Sequence, residues 1–146
     1  MTAFTTSVHI ARPIDGVYAY LTDPLEFSHW NSAVVAVWRT PGSGRGTGST
    51  YAMKRVLRGD RVRNGLEVFA RERPTGFGIR TTSGPTPFTY RYRLSTENAE
   101  TVIRLDATVE VDDAPSMFGP LLARLVKRGV DANLATLKRT LEERHE

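Results

Sequence analysis

The strongest constraint on this chain is a change of period. Residues 32–111 run as strand-length apolar segments parted by turn chemistry, and the segment after them carries a single long helical stripe. The breaks fall at Pro41–Gly46, Gly59-Asp60, Pro74–Gly76, Gly84-Pro85 and Glu97-Asn98. They divide the region into six predicted strands at about 33–40, 47–57, 61–72, 77–83, 87–96 and 100–111. Their links are too short for parallel crossovers, which need a dozen or more residues, so the expected sheet is an antiparallel meander. Alternation assigns its faces. Phe88, Tyr90, Tyr92 and Leu94 share one side of their strand, and Ile103, Leu105, Ala107, Val109 and Val111 one side of the next. The same rule pairs Tyr51 with Met53, Leu66 with Val68, and Phe77 with Ile79.

From about Pro115 to Glu143, Leu122, Val126, Val130, Leu134, Leu137 and Leu141 recur at helical spacing, with Phe118, Leu121 and Leu125 beside the stripe. A helix of that length, roughly 40 Å, can lie across a small sheet and cover its apolar face. Gly119-Pro120 marks either its start or a kink, and Gly129 weakens it unless a sheet side chain needs the space. Ahead of the meander, Phe4, Thr6, Val8 and Ile10 alternate as a strand. Pro13 opens a short helix with the stripe Ile14, Val17, Tyr18 and Leu21. Asp23 caps a second short helix, with Pro24 in its first position and Glu26 placed for a capping box, leading to Phe27 and Trp30.

A length of 146 residues suits one domain, residues 1–146. The absence of cysteine excludes a disulfide scaffold, a thiol nucleophile and Cys-ligated metal, and suits a reducing compartment. The first ten residues lack the basic start and apolar run of a signal peptide, and no stretch of about 18 apolar residues is present. A soluble, cytoplasmic protein, monomer or homodimer, is the expectation. Charge is uneven: Arg39 to Arg93 holds twelve Lys/Arg against Asp60, Glu67 and Glu72, a local balance of +9. Seventeen of the twenty basic residues are arginine, which suits carboxylate or phosphate recognition but equally an arginine-rich composition. Arg91 and Arg93 alternate with Tyr90 and Tyr92, the pattern of a sheet with one wet face. With no nucleic-acid motif beside it, the basic segment reads as a solvated face, with a module for an acidic partner or anionic membrane as the third possibility.

The element order is specific, and the motifs in it are familiar: Ile10-Ala-Arg-Pro13, Val17-Tyr18, Leu21-Thr-Asp23 and Trp30, then Gly46-Thr-Gly48-Ser-Thr-Tyr51, then Gly84-Pro85-Thr-Pro87 with Tyr90-Arg-Tyr92. In these the chain resembles the START-like polyketide cyclase/dehydrase and lipid transport superfamily (SRPBCC) over nearly its whole length. The resemblance implies an α+β helix-grip fold, an antiparallel sheet curled around the long C-terminal helix with two short helices between the first two strands. It also implies a cavity for an apolar or amphipathic small molecule. Fold alone does not give function, since relatives include carriers, receptors, cyclases and ring hydroxylases.

The family's iron-binding branch needs convergent histidines and a carboxylate. His9, His29 and His145 sit on different elements without paired spacing, so no metal and no cofactor is expected. The glycine-rich run Gly42–Gly48 lacks the Lys-Ser/Thr of a phosphate loop and reads as a flexible connection at the cavity rim. For ligand binding the expected lining is Trp30 from the second short helix and Tyr51, Met53, Val68 and Phe77 from the middle strands. Phe88, Tyr90 and Tyr92 join them from the next strand, and Phe118, Leu122 and Leu125 from the long helix. The same residues would also suit a filled core. The alternative is a cofactor-free cyclase or dehydratase. Its weak candidates are Tyr90 and Tyr92 as inward phenols, Arg55 to stabilise an enolate, and His29 as a general acid at the mouth. Arg55 and His29 are expected to face solvent.

Overall fold

The computed structural model describes residues 2–111 and 119–144. Strand β1 (Thr2–Ile10) leads into α1 (Ile14–Leu21) and a 3-10 helix (Pro24–His29). Six strands follow: β2 (Val34–Arg39), β3 (Thr50–Leu57), β4 (Asp60–Glu72), β5 (Gly76–Ser83), β6 (Phe88–Glu97) and β7 (Glu100–Val109). Helix α2 (Gly119–Glu143) ends the chain. The sheet runs β1-β7-β6-β5-β4-β3-β2, antiparallel throughout, so the six later strands form the expected meander and β1 joins it beside β7. Seven curled strands with a C-terminal helix are the helix-grip architecture.

The core forms on one face of this sheet. Leu66 and Val68 of β4, Phe77 and Ile79 of β5, Tyr92 and Leu94 of β6, and Ile103 and Leu105 of β7 all point inward. Val17, Tyr18 and Leu21 of α1 and Leu134, Leu137 and Leu141 of α2 close over them. At Gly78 on the outer face, a Cβ would come within 2.5 Å of the Phe69 ring, so only glycine admits that ring against the sheet.

Helix α2 grips with its second half. Asp131 accepts from Thr6, Lys138 donates to the His9 carbonyl (2.6 Å), and Glu142 accepts from the Ala11 N–H (2.7 Å) and ion-pairs with Lys138 (2.7 Å). Arg12 donates to the carbonyl of Glu142. The first half departs from expectation. Leu121 and Leu125 are more than half exposed, and Leu122 and Val126 are only partly buried, so among the described residues the stripe covers the sheet along β1 and not across its width. Gly129 also differs: a Cβ there would meet nothing within 4 Å, so no described side chain occupies the space. The predicted helical residues 115–118 lie outside the described residues.

Candidate functional site

Local sequence builds one wall of the site. Asp23 Oδ1 accepts from the Leu25 N–H (3.1 Å) and Pro24 occupies the first turn, which starts the 3-10 helix where the cap predicted it. Glu26 does not complete a capping box. Its carboxylate turns to His29 Nδ1 at 2.5 Å. At the end of this helix the Phe27 and Trp30 rings meet edge to face, centroids 5.6 Å apart. Asn31 Oδ1 then accepts from Ala33 N–H (3.0 Å), and Asn133 of α2 accepts from the Ser32 N–H (3.1 Å), fixing the turn into β2.

Facing this wall, the sheet contributes Met53 and Arg55 of β3, Ile79 of β5, and Phe88, Tyr90 and Tyr92 of β6. Register explains the grouping, because Ile79 pairs with Tyr90 across the β5–β6 ladder and alternation turns every second residue of β6 the same way. The rings form a row: Phe88 to Tyr90 is 4.6 Å and Tyr90 to Tyr92 is 6.2 Å, the latter pair edge to face. Between wall and row lies a narrow pocket of about 50 Å³, room for roughly four water-sized spheres.

The polar side chains of the lining belong to Trp30, Asn31, Arg55, Tyr90 and Tyr92. Trp30 is 6% exposed, and its Nε1–H is the one buried side-chain donor or acceptor among the described residues that has no hydrogen-bond partner. Neither the Tyr90 nor the Tyr92 phenol hydrogen-bonds to another described group. Burial pushes Tyr90 up to about 12, against the pull of Arg55, and burial also pushes Tyr92 upward, with Tyr90 adding to the shift. Both are therefore neutral donors near pH 7.

Arg55 corrects an expectation. It turns inward, where burial lowers its pKa, and packs over the Phe88 ring at 5.5 Å. Its Nε donates to Asn64 Oδ1 (2.7 Å) and its Nη2 to the carbonyls of Pro85 (2.8 Å) and Thr86 (2.9 Å). Asn64, fully buried, donates in turn to the carbonyls of Ser83 (3.0 Å) and Pro85 (2.9 Å). Together they clamp the β5–β6 turn, where Gly84 takes φ +95° and a Cβ would come within 2.3 Å of the Arg63 carbonyl.

The structure brings together Trp30, Met53, Phe88, Tyr90 and Tyr92 of the expected lining, with Arg55 from the enzyme candidates. The others lie elsewhere. Tyr51 lines a separate cleft, Val68 and Phe77 are core, Leu122 is half-buried away from the pocket, Leu125 is exposed, and Phe118 lies outside the described residues. The described part of α2 thus supplies none of the lining. His29 is outside the pocket and exposed, paired with Glu26, and His9 pairs with Glu100 at 2.7 Å; His145 lies outside the described residues. Among the described residues no three His, Asp or Glu side chains converge as a metal would need. No described helix is long and apolar enough to cross a membrane. Phe27, Asn31, Ala33, Val34 and Ile79 complete the lining unforeseen. Arg55 was findable, because Tyr51, Met53 and Arg55 stand at i, i+2 and i+4 of one strand.

Comparison with known proteins bears on the fold and the family. A START superfamily protein from Mycobacterium smegmatis superposes with TM-score 0.81 at 16% identity, covering 98% of this chain and 99% of that one. A protein from Thermus thermophilus gives 0.72 at 20% identity, covering 97% and 94%. The di-domain ARO/CYC BexL of the BE-7585A biosynthetic pathway gives 0.75 at 14% identity, with 97% of this chain matching 47% of that one. At such identities these likenesses show the fold. No curated protein matches the sequence. The family described as polyketide cyclase / dehydrase and lipid transport matches residues 1–142. Family and fold together support a hydrophobic-ligand-binding or polyketide-cyclase-like role, and the chain belongs to that polyketide cyclase / dehydrase and lipid transport family.

Proposed function

We propose that this protein binds a small aromatic molecule bearing an oxygen acceptor in the pocket between the 3-10 helix and β3, β5 and β6. It does so as a cytoplasmic monomer or homodimer without nucleic acid. The observation that carries this is the buried, unpartnered Nε1–H of Trp30, a residue that lines the pocket opposite two phenols that are neutral near pH 7. An unsatisfied buried donor costs about 1–3 kcal/mol, which a ligand oxygen recovers on binding. The described lining holds donors but no carboxylate or imidazole to take up a proton, which favours binding and orientation.

The test uses the two indole N–H signals of Trp30 and Trp38 in a proton–nitrogen correlation spectrum, assigned with Trp38→Phe. Titration with 1-indanone should move the Trp30 signal downfield and leave Trp38 in place. Indane, which lacks the carbonyl, should bind about 2–13-fold more weakly, the equivalent of one net hydrogen bond of about 0.5–1.5 kcal/mol. Unmoved Trp30 at millimolar 1-indanone would sink the proposal. A second reading, a cofactor-free cyclase or dehydratase, rests on the position of the two phenols in the lining, where each can donate a hydrogen bond to an enolate oxygen. In it, Tyr90→Phe abolishes turnover of a polyketide-like substrate while the fold survives; turnover retained in Tyr90→Phe eliminates that role.

A further inference from the structure

A second cleft, of about 310 Å³, begins where the aromatic pocket ends: Pro24 and Leu25 at the start of the 3-10 helix line it, as Phe27 and Trp30 farther along line the first. Its character is opposite. Arg39, Arg45, Arg71 and Arg73 all line it, and Asp23 is its one carboxylate. Among the described residues no side chain of these four arginines forms an ion pair or donates a hydrogen bond, as is also true of Arg61, Arg63, Arg91 and Arg93 in the same sheet, while Arg80 and Arg104 each have a carboxylate partner.

Their placement is built. Arg39 ends β2 and lies over the Tyr51 ring at 5.8 Å, and Arg71 near the end of β4 lies over the Tyr18 ring at 5.8 Å. Stacking holds a guanidinium by its face and leaves its N–H edge for an anion. Arg45 is presented by the glycine-rich loop, where Gly42, Gly46 and Gly48 take φ of +78°, +85° and +90°. That loop is tied at three points: Ser49 Oγ donates to the Gly46 carbonyl (2.7 Å), Thr50 N–H to Ser43 Oγ (2.8 Å), and Gly48 N–H to the Val68 carbonyl (2.7 Å).

We infer that this cleft is a phosphate-binding site, taking the phosphoryl or diphosphoryl group of a small organic ligand independently of the aromatic pocket. Four arginines from three segments of the chain line one concavity, and Asp23, already accepting from the Leu25 N–H, offsets one of their charges. A carboxylate would bring a single charge. A phosphoryl group brings about two negative charges and three acceptor oxygens, suited to guanidinium forks arriving from different elements.

Calorimetric titration of the full chain with sodium pyrophosphate should show one site, with a dissociation constant below about 1 mM at low salt, weakening several-fold near physiological ionic strength. Arg71→Gln/Arg73→Gln should weaken it at least about tenfold, and Arg45→Gln, which touches no ring, several-fold; circular dichroism verifies the fold of each. Arg61→Gln/Arg128→Gln removes the same charge from outside the cleft and should leave binding within about twofold. Phenyl phosphate and inorganic phosphate separate the two sources of the group: tighter phenyl phosphate identifies an organic ester, and parity identifies the free ion in the same site. No heat at millimolar pyrophosphate, or equal weakening in the cleft and control pairs, overturns the inference. Because 1-indanone is neutral, its binding stands or falls separately.

Discussion

Replacing Trp30 by phenylalanine separates the two things that this side chain does. It removes the buried, unpartnered Nε1–H, whose desolvation costs the folded state about 1–3 kcal/mol. It also removes part of the indole, roughly 40 Å² of apolar surface at about 25 cal/mol per Å², or about 1 kcal/mol of burial. The two oppose each other, so Trp30→Phe should lie between about equal to the parent and about 2 kcal/mol more stable. Trp30→Ala removes the whole buried ring and its contact with Phe27, and should cost about 3–5 kcal/mol. Urea unfolding followed by circular dichroism reads both, and 1-indanone titration of the same proteins reads the ligand side, where Trp30→Phe should weaken binding about 2–13-fold. A phenylalanine variant destabilised by about 3 kcal/mol or more, with unchanged 1-indanone affinity, would refute the reasoning at both ends: the N–H would carry no desolvation cost and would not meet the ligand.

Asn64→Ala strips the Arg55 Nε of its acceptor, the Ser83 carbonyl of its Asn64 donor and the Pro85 carbonyl of one of its two donors, so about 2–4 kcal/mol should be lost by thermal or urea unfolding; a loss under about 1 kcal/mol would mean the clamp is dispensable. Gly129→Ala should gain about 0.5–1 kcal/mol, since the exposed mid-helix position has no neighbour within 4 Å for a methyl group to strike, and a lower melting temperature would contradict this. Glu142 is held below its ordinary 4.5 by the Ala11 N–H first and by Lys138 next. Its contribution is therefore fully present above pH 4.5 and is lost as pH falls through the lower folded value. The stability difference between the parent and Glu142→Gln should follow that course, and a difference that grows on acidification would reverse the sign.

What was legible in the sequence were features carried by period and by local chemistry. The alternation of Phe88, Tyr90, Tyr92 and Leu94 fixed their face, and Asp23-Pro24 announced the 3-10 helix. Where residue type was weighed against period, period won: Arg55 follows Tyr51 and Met53 inward although arginine ordinarily seeks water, because Asn64 and the β5–β6 turn carbonyls replace that water. The helical stripe of α2 was equally regular, but periodicity says which side of a helix is apolar and not how far a neighbour extends beneath it. Leu134 found the core, while Leu125 did not. The pocket was the least legible feature. It joins Trp30, Met53, Ile79 and Tyr90 from four separate elements, and no spacing along the chain encodes which inward residues share a void.

The basic middle segment also resolves into parts that composition could not distinguish. Arg80 and Arg91 lie over the Phe69 ring at 5.3 and 4.7 Å, and Arg63 lies over Trp38 at 4.8 Å. Phe69 is pressed against Gly78 on the face of the sheet away from the core, where an uncovered ring would be an exposed apolar patch. The guanidinium stems and faces screen these rings while their charge stays in water. Arginine serves that use better than lysine, because its flat cation stacks. The stretch with a balance of +9 therefore includes arginines in different settings: Arg63, Arg80 and Arg91 cover aromatic rings on the outer face, Arg55 braces the β5–β6 turn, and four line the cleft beside Tyr51. Those four share one concavity, and a shared concavity is what a discrete anion requires.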